Sequence, residues 1–270
     1  MSVKASIISP CYNHGKYIFD MLDSVLSQTF QDFEVVIVND GSTDDSREIL
    51  DCIHHEKVRV FHTKHYGPAH ARNLAINHAQ GEIILNLDAD DKIAQHFLEQ
   101  CVPVFDSHPN AGIVYSDVER FGARSGRFEV KEYSIENMLY ANCIVANSCF
   151  RKDDWNITSG YSEELVYGLE DYDFWLSIIE LGREVFKINK PLVFYRTYND
   201  QEASRTGRMN KCKKRINKTS LQVFHRHETL YRNYPQIWDY FSKRENQFCF
   251  EPVRSLLRFF SRRTDCGTHM

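Results

Sequence analysis

No stretch of this 270-residue chain approaches the roughly 18 to 20 consecutive apolar residues that a membrane-crossing helix needs. The opening Met1-Ser2-Val3-Lys4 leads straight into an apolar segment without a secretory pattern, which predicts a cytoplasmic protein. The eight cysteines, at 11, 52, 101, 143, 149, 212, 249 and 266, never fall at Cys-x-x-Cys spacing. Neither a zinc knuckle nor a disulfide framework is therefore expected, and the thiols read as reduced and mostly structural. Gly-x-Gly-x-x-Gly is missing after the first apolar segment and so is a Walker phosphate loop, which argues against a dinucleotide-binding or P-loop site. There is no internal repeat and no low-complexity tract.

Hydrophobic residues make up 42% of the chain, enough for a full core, and 13% are aromatic. The net charge of −4 conceals a division: residues 1–204 hold 18 Lys and Arg against 32 Asp and Glu, or −14, whereas 205–270 hold 15 against 5, or +10. Two regions follow from that asymmetry, a body over 1–204 and a basic, helical appendage over 205–270, with the boundary near 199–206.

Strand-like runs at Ala5–Ser9, Phe33–Asn39, Val58–His62, Glu82–Leu87 and Gly112–Ser116 alternate with helical periodicity near 16–28, 44–55, 68–79 and 95–106. This βαβα pattern with near-continuous apolar strands predicts an α/β fold, a mostly parallel central sheet flanked by helices in a Rossmann-like manner. A second block is expected to hold a strand at Ile144–Phe150, a helix from Glu170 to Leu181, and strands at Glu184–Ile188 and Leu192–Tyr195. In such folds ligands bind beyond the carboxyl ends of the strands. The polar clusters lie at those ends: Pro10-Cys11-Tyr12-Asn13, Asn39-Asp40-Gly41-Ser42, and Asp88-Ala89-Asp90-Asp91.

The last cluster carries the most chemistry. Three carboxylates within four residues repel one another unless solvated, paired or bridged by a cation, and a hard ion such as Mn²⁺ or Mg²⁺ shared with substrate phosphates suits them. Capping of the helix near Gln95 by Asp90 and Asp91 is the alternative. Tyr12 offers a ring for stacking on a nucleobase, with Pro10 and Asn13 beside it. Asp40 is placed to accept from a base N–H or a ribose hydroxyl, while Ser42 and Asp45 resemble a capping box. Arg72 either reaches a base or phosphate, or lies on a solvated helix face. Glu170, Asp171 and Asp173 open a helix with Trp175 one turn on; acids complement a helix N-terminus, but a carboxylate beside aromatic surface is also a general-base candidate.

Together these pieces resemble the family 2 glycosyltransferases with the A-type nucleotide-sugar fold. The likeness spans about residues 3–204 and rests on Ser9-Pro10-Cys11-Tyr12-Asn13, Val38-Asn39-Asp40-Gly41-Ser42-Thr43-Asp44, Ala71-Arg72-Asn73, Asp88-Ala89-Asp90-Asp91 and Glu170-Asp171-Tyr172-Asp173-Phe174-Trp175, in that order. It implies a metal-dependent, inverting transfer of a sugar from a nucleotide donor, usually a uridine diphosphate sugar, to an acceptor hydroxyl on a carbohydrate or lipid-linked molecule in cell-surface polysaccharide or glycolipid synthesis. Pro10, Tyr12, Asn13, Asp40, Arg72, Asp88, Ala89 and Asp90 would then line the donor site. Asp90 would hold the Mn²⁺ or Mg²⁺, Asp171 with Glu170 would supply the base, and Asp91 and Trp175 would face the acceptor. Two departures stand out. Tyr195-Arg196-Thr197-Tyr198 replaces the Tyr-Arg-x-His that members often carry, and Tyr198 is a poor metal ligand; Ser177 replaces a frequent arginine. Nucleotidyl transfer to a sugar phosphate and a non-catalytic sugar-binding scaffold are the competing functions; the first lacks its Gly-rich phosphate loop.

In the appendage, Val253, Leu256, Leu257 and Phe260 share one helical face and Arg254, Arg258 and Arg262 another. This pattern suits either peripheral binding to an anionic membrane surface or docking on the acidic body or a second subunit. No nucleic-acid reading motif is present.

Overall fold

The computed structural model describes residues 3–128, 131–199 and 213–244. Within them, β1 (Ala5–Cys11), β2 (Phe33–Asp40), β3 (Val58–Thr63) and β4 (Ile83–Asn86) pair in parallel in the order β3-β2-β1-β4. Every residue of β1, β2 and β4 is buried, as expected of strands covered on both faces. The covering helices are α1 (Ile18–Leu26), α2 (Ser46–Asp51), α3 (Pro68–His78) and α4 (Phe97–Ser107). In α1, Ile18, Met21, Leu22 and Val25 are buried at helical spacing. Helix α3 starts at Gly67 (φ 99°) and Pro68 and packs on β1 and β2 through Ala71 and Ala75.

Pro10 can occupy a central strand for a geometric reason. The carbonyl of Ile8 accepts from the Leu87 N–H, so the even residues of β1 face β4. The β1–β4 pairing ends at Ile8↔Asn86, and the N–H that Pro10 lacks would point where no partner strand remains.

The rest of the sheet is mixed. It adds β5 (Lys92–Ile93), β6 (Ala111–Gly122), β7 (Gly126–Phe128), β8 (Cys149–Arg151) and β9 (Glu184–Thr197), giving β3-β2-β1-β4-β8-β6-β9-β5 with β7 on β6. Strand β8 is antiparallel to both β4 and β6, whereas β6 and β9 run parallel. The parallel character expected from the alternation thus holds for the first four strands. Two further expectations are corrected. Of the strand anticipated at Ile144–Phe150 only its last two residues pair, because Asn147 is drawn to Asp91 and Ser148 folds back on Val145 and Ala146. The two short strands after residue 184 are one strand, interrupted by a register shift that moves the partner of Asp117 to Pro191.

Helices α5 (Ile135–Tyr140), α6 (Lys152–Thr158) and α7 (Glu170–Glu180) complete this part, followed by α8 (Lys213–Arg226) and α9 (Glu228–Arg232). The chain divides into two units, Met1–Thr219 and Ser220–Met270. In the second, Phe224, Tyr231, Trp238 and Phe241 form an aromatic cluster with ring centroids about Phe224 at 5.0–5.2 Å. The amphipathic stretch over 253–263 lies outside the described residues, as does most of the expected boundary at 199–206. Among the described residues no helix is long and apolar enough to cross a membrane. The described cysteines 11, 52, 101, 143 and 149 are free thiols, and burial pushes the Cys11 thiol up to about 11.

Candidate active site

The loops after β1 and β2 are lashed together by short polar side chains. Asn13, itself at φ 57°, accepts from the backbone N–H groups of Thr43 (2.7 Å) and Asp44 (3.3 Å) and donates its own N–H to the Ser42 hydroxyl (3.0 Å). Asp44 accepts from the Gly15 N–H (3.1 Å) and the Ser46 N–H (3.0 Å). Gly15 is needed for close approach: a Cβ there would sit 2.1 Å from the Asp45 carboxylate. Asn13 is therefore a loop fastener in this structure, and Asp44 takes the capping work expected of Ser42 and Asp45, neither of which caps α2 with its side chain.

Partial burial opposes ionisation of Asp44, but bonds from the Ser46 hydroxyl and from the Ser46 and Gly15 N–H groups outweigh it and hold the carboxyl below its ordinary range. A depressed folded-state value stabilises the fold above the unfolded carboxylate pKa, and that stability is lost as pH falls through the folded value. Asp44→Asn should lower stability at neutral pH by about 1 kcal/mol. Thermal unfolding at neutral pH and again below about pH 3 should show the difference from wild type shrinking on acidification.

Asp40 is 2% exposed and fully engaged with the segment after β3. It accepts from the backbone N–H groups of Tyr66 and Gly67 (2.9 Å each) and lies 3.0 Å from His65 Nδ1. Gly41, at φ 68°, brings the two loops so close that a Cβ would meet the His65 nitrogen at 2.6 Å. His65 in turn stacks on Tyr12, with centroids 3.9 Å apart and rings 18° from parallel. One face of the tyrosine expected to hold a base is thus covered by a histidine, and Asp40 orients that histidine. His65 was not singled out in the sequence, although it adjoins the Tyr66-Gly67-Pro68 turn.

Arg72 is the hub of the acidic side. It is 3% exposed on the sheet-facing side of α3 and donates through Nε to Asn86 (3.0 Å), through Nη2 to Asp88 (2.9 Å) and through Nη1 to Glu170 (2.7 Å). Burial alone would lower its pKa, but Asp88 and then Glu170 raise it above the ordinary arginine value, with Asp171 adding to the effect. The sequence offered a ligand-facing or a solvated arginine. The structure instead ties the end of β4 to the start of α7 through Arg72, which reaches Glu170 98 residues further along the chain. Asp171 follows Glu170 on α7, is partly exposed, and accepts from Asn142 Nδ2 at 3.0 Å. Leu169 at φ 68° turns the chain sharply into that helix.

The four residues Asp88 to Asp91 have distinct surroundings. Asp88 keeps a side chain about one-third exposed. Ala89 is buried in the core, so only its backbone can reach a donor. Asp91 is 1% exposed with its oxygens taken by the Arg196 N–H (2.8 Å) and Asn147 (2.6 Å). Burial, then Asp90, then Asp88 push its carboxyl well above the usual range. It pins the loop to β9 instead of facing an acceptor, which corrects the acceptor-side reading. Trp175 is corrected likewise: it is 0% exposed, packed edge-on to Phe150, and its indole nitrogen has no hydrogen-bond partner.

Asp90 receives the Tyr198 hydroxyl on Oδ2, and its Oδ1 lies 3.7 Å from His14 Nδ1. Burial raises its carboxyl above the ordinary value, Asp88 adds to the rise, and His14 and Tyr198 oppose it. Arg196 locks this corner by donating to the Asp90 carbonyl (2.7 Å) and to Asp20 (2.7 Å). Among the described residues no three His, Cys, Asp or Glu side chains surround one point as a preformed metal cage would require.

Loops following β1, β2, β3 and β4, the first turn of α7 and the end of β9 therefore meet in one connected cluster. A model of glycosyl transferase family 2 matches residues 6–165, well over half of the chain. The chain belongs to glycosyltransferase family 2. Its match stops short of Glu170 and Asp171. A chondroitin synthase of Escherichia coli is 34% identical over 183 residues, covering 66% of this chain and 26% of the relative. The chain thus spans about a quarter of that protein's length. Among solved structures, Staphylococcus aureus TarS 1–349 in complex with UDP-GlcNAc has a TM-score of 0.66 at 22% identity, covering 86% of this chain and 73% of that one. The mannosyltransferase PcManGT of Pyrobaculum calidifontis, in complex with GDP-Man and Mn²⁺, has a TM-score of 0.63 at 18% identity over 97% and 80%. At these identities the likeness establishes the A-type glycosyltransferase fold.

Proposed function

We propose that this glycosyltransferase transfers a sugar from a nucleoside diphosphate donor, of the uridine series, to an acceptor hydroxyl of a growing polysaccharide, with inversion at the anomeric carbon. The observation that carries the reading is the Asp88–Arg72–Glu170 bridge, which draws the acidic end of β4 toward the α7 turn bearing Asp171. The UDP-GlcNAc held by TarS and the polymer named for the chondroitin synthase support the donor and acceptor classes.

In this reading the nucleotide lies across the ends of β1, β2 and β4. The Tyr12–His65 pair contacts the base, and Asp88 contacts the ribose. The residues fit a divalent cation: Asp90 is an oxygen donor beside an imidazole nitrogen that lacks a partner, and a hard ion needs only one or two protein ligands when phosphates supply the rest. Held by Asp90, Mn²⁺ or Mg²⁺ would offset the negative charge on the diphosphate. Asp171 takes the acceptor hydroxyl proton. The acceptor oxygen bonds to the anomeric carbon as the bond to the diphosphate oxygen breaks, and that oxygen leaves with the electron pair. One displacement inverts the centre, with no covalent intermediate on the protein.

A screen of uridine and guanosine diphosphate sugars with Mn²⁺ or Mg²⁺ tests this. Metal-dependent release of nucleoside diphosphate is expected, whereas pyrophosphate release would indicate nucleotidyl transfer. Asp90→Ala should weaken metal-dependent donor binding by at least about tenfold in calorimetry, since loss of even an outer partner of a metal ligand costs that much; unchanged affinity would remove Asp90 from the site.

A further inference from the structure

His14 stands opposite Asp90 and holds no hydrogen bond through its ring Nδ1. Its backbone is held by the bond from its N–H to the Ser46 hydroxyl (3.2 Å), between Asn13 and Gly15, whose own lashings to 42–46 fix the loop. Its Nδ1 is shielded from solvent and has no hydrogen-bond partner. It lies 3.7 Å from Asp90 Oδ1, too far for a hydrogen bond. A buried polar atom without a partner calls for an explanation, and an ion is one of the few that serve. A neutral imidazole is the commonest nitrogen ligand. Neighbouring ligands of an octahedral ion with arms of about 2.1 Å are about 3 Å apart, so a sub-ångström adjustment would bring both atoms onto one ion. The other Asp90 oxygen already carries the Tyr198 hydroxyl.

We infer that His14, from the loop after β1, supplies the nitrogen ligand to the divalent ion that Asp90 holds. This rests on the metal-dependent reading above. Tyr198 then acts as a positioning residue, orienting Asp90 so that Oδ1 faces the ring.

The test is pulsed electron paramagnetic resonance of Mn²⁺ bound to the full chain in the presence of uridine diphosphate, with and without ¹⁵N-labelled histidine. Wild type should show nitrogen modulation that changes on histidine labelling. His14→Gln should lose it and bind Mn²⁺ at least about tenfold more weakly, while metal-free nucleotide binding and the circular dichroism spectrum are retained. Bound Mn²⁺ without nitrogen modulation in wild type, or modulation that survives in His14→Gln, overturns the inference and leaves the metal reading standing. No Mn²⁺ binding by wild type overturns both.

Discussion

Asp171→Asn should reduce sugar transfer by about a hundredfold to ten-thousandfold while donor affinity is unchanged, because the amide keeps the shape of the carboxylate but cannot take a proton. Asn142 would still meet a carbonyl oxygen at the same place, so the α7 turn should keep its geometry. Turnover with a natural or surrogate acceptor, paired with calorimetric binding of the nucleotide, separates the two effects. An asparagine variant of full activity would refute the base assignment. The neighbouring Glu170→Gln should behave differently: its carboxylate faces Arg72 at 2.7 Å, so the loss is first one of stability.

Arg72→Met should destabilise the protein by about 3–5 kcal/mol, chiefly the cost of leaving the buried Glu170 carboxylate without its counter-charge. For a unit of this size that is a fall of about 6–20 °C in the melting temperature. Arg72 places three donors on Asn86, Asp88 and Glu170, and methionine fills similar space while supplying none. Arg72→Met combined with Glu170→Gln should recover part of the loss by removing one stranded charge, a coupling that a double-mutant cycle measures. A melting temperature unaffected by Arg72→Met would show that the bridge does not hold α7 to β4.

The first four strands and their helices were legible because each is locally consistent: β2 holds the continuous apolar run 35–38, and α1 repeats its apolar residues at helical spacing. The polar strand ends were legible for the same reason, since topology alone sends them to one edge. What could not be read is who pairs with whom. Arg72 sits among alanines in a helix of low amphipathicity, and nothing nearby announces a partner at Glu170. Asp90 and Asp91 are adjacent in sequence but occupy opposite environments, one beside the site and one sealed beneath it by Asn147 and Arg196. Trp175 looked like an acceptor platform because it follows Asp171 by one helical turn, yet its aromatic neighbours Phe150 and Phe174 draw it inward. His14 adjoins Asn13, which was singled out, whereas His65 adjoins no such residue, and only tertiary contact shows that they face Asp90 and Tyr12.

The central claim is that Asp88, Asp90 and Asp171 serve one bound nucleotide sugar. A crystal structure of the chain with uridine diphosphate and Mn²⁺ tests it most directly. The account predicts the ion on Asp90, the ribose at Asp88, and the Asp171 carboxylate within a single hexose of the outer phosphate. A diphosphate bound elsewhere, or an Asp171 turned away from it beyond that reach, would contradict the account.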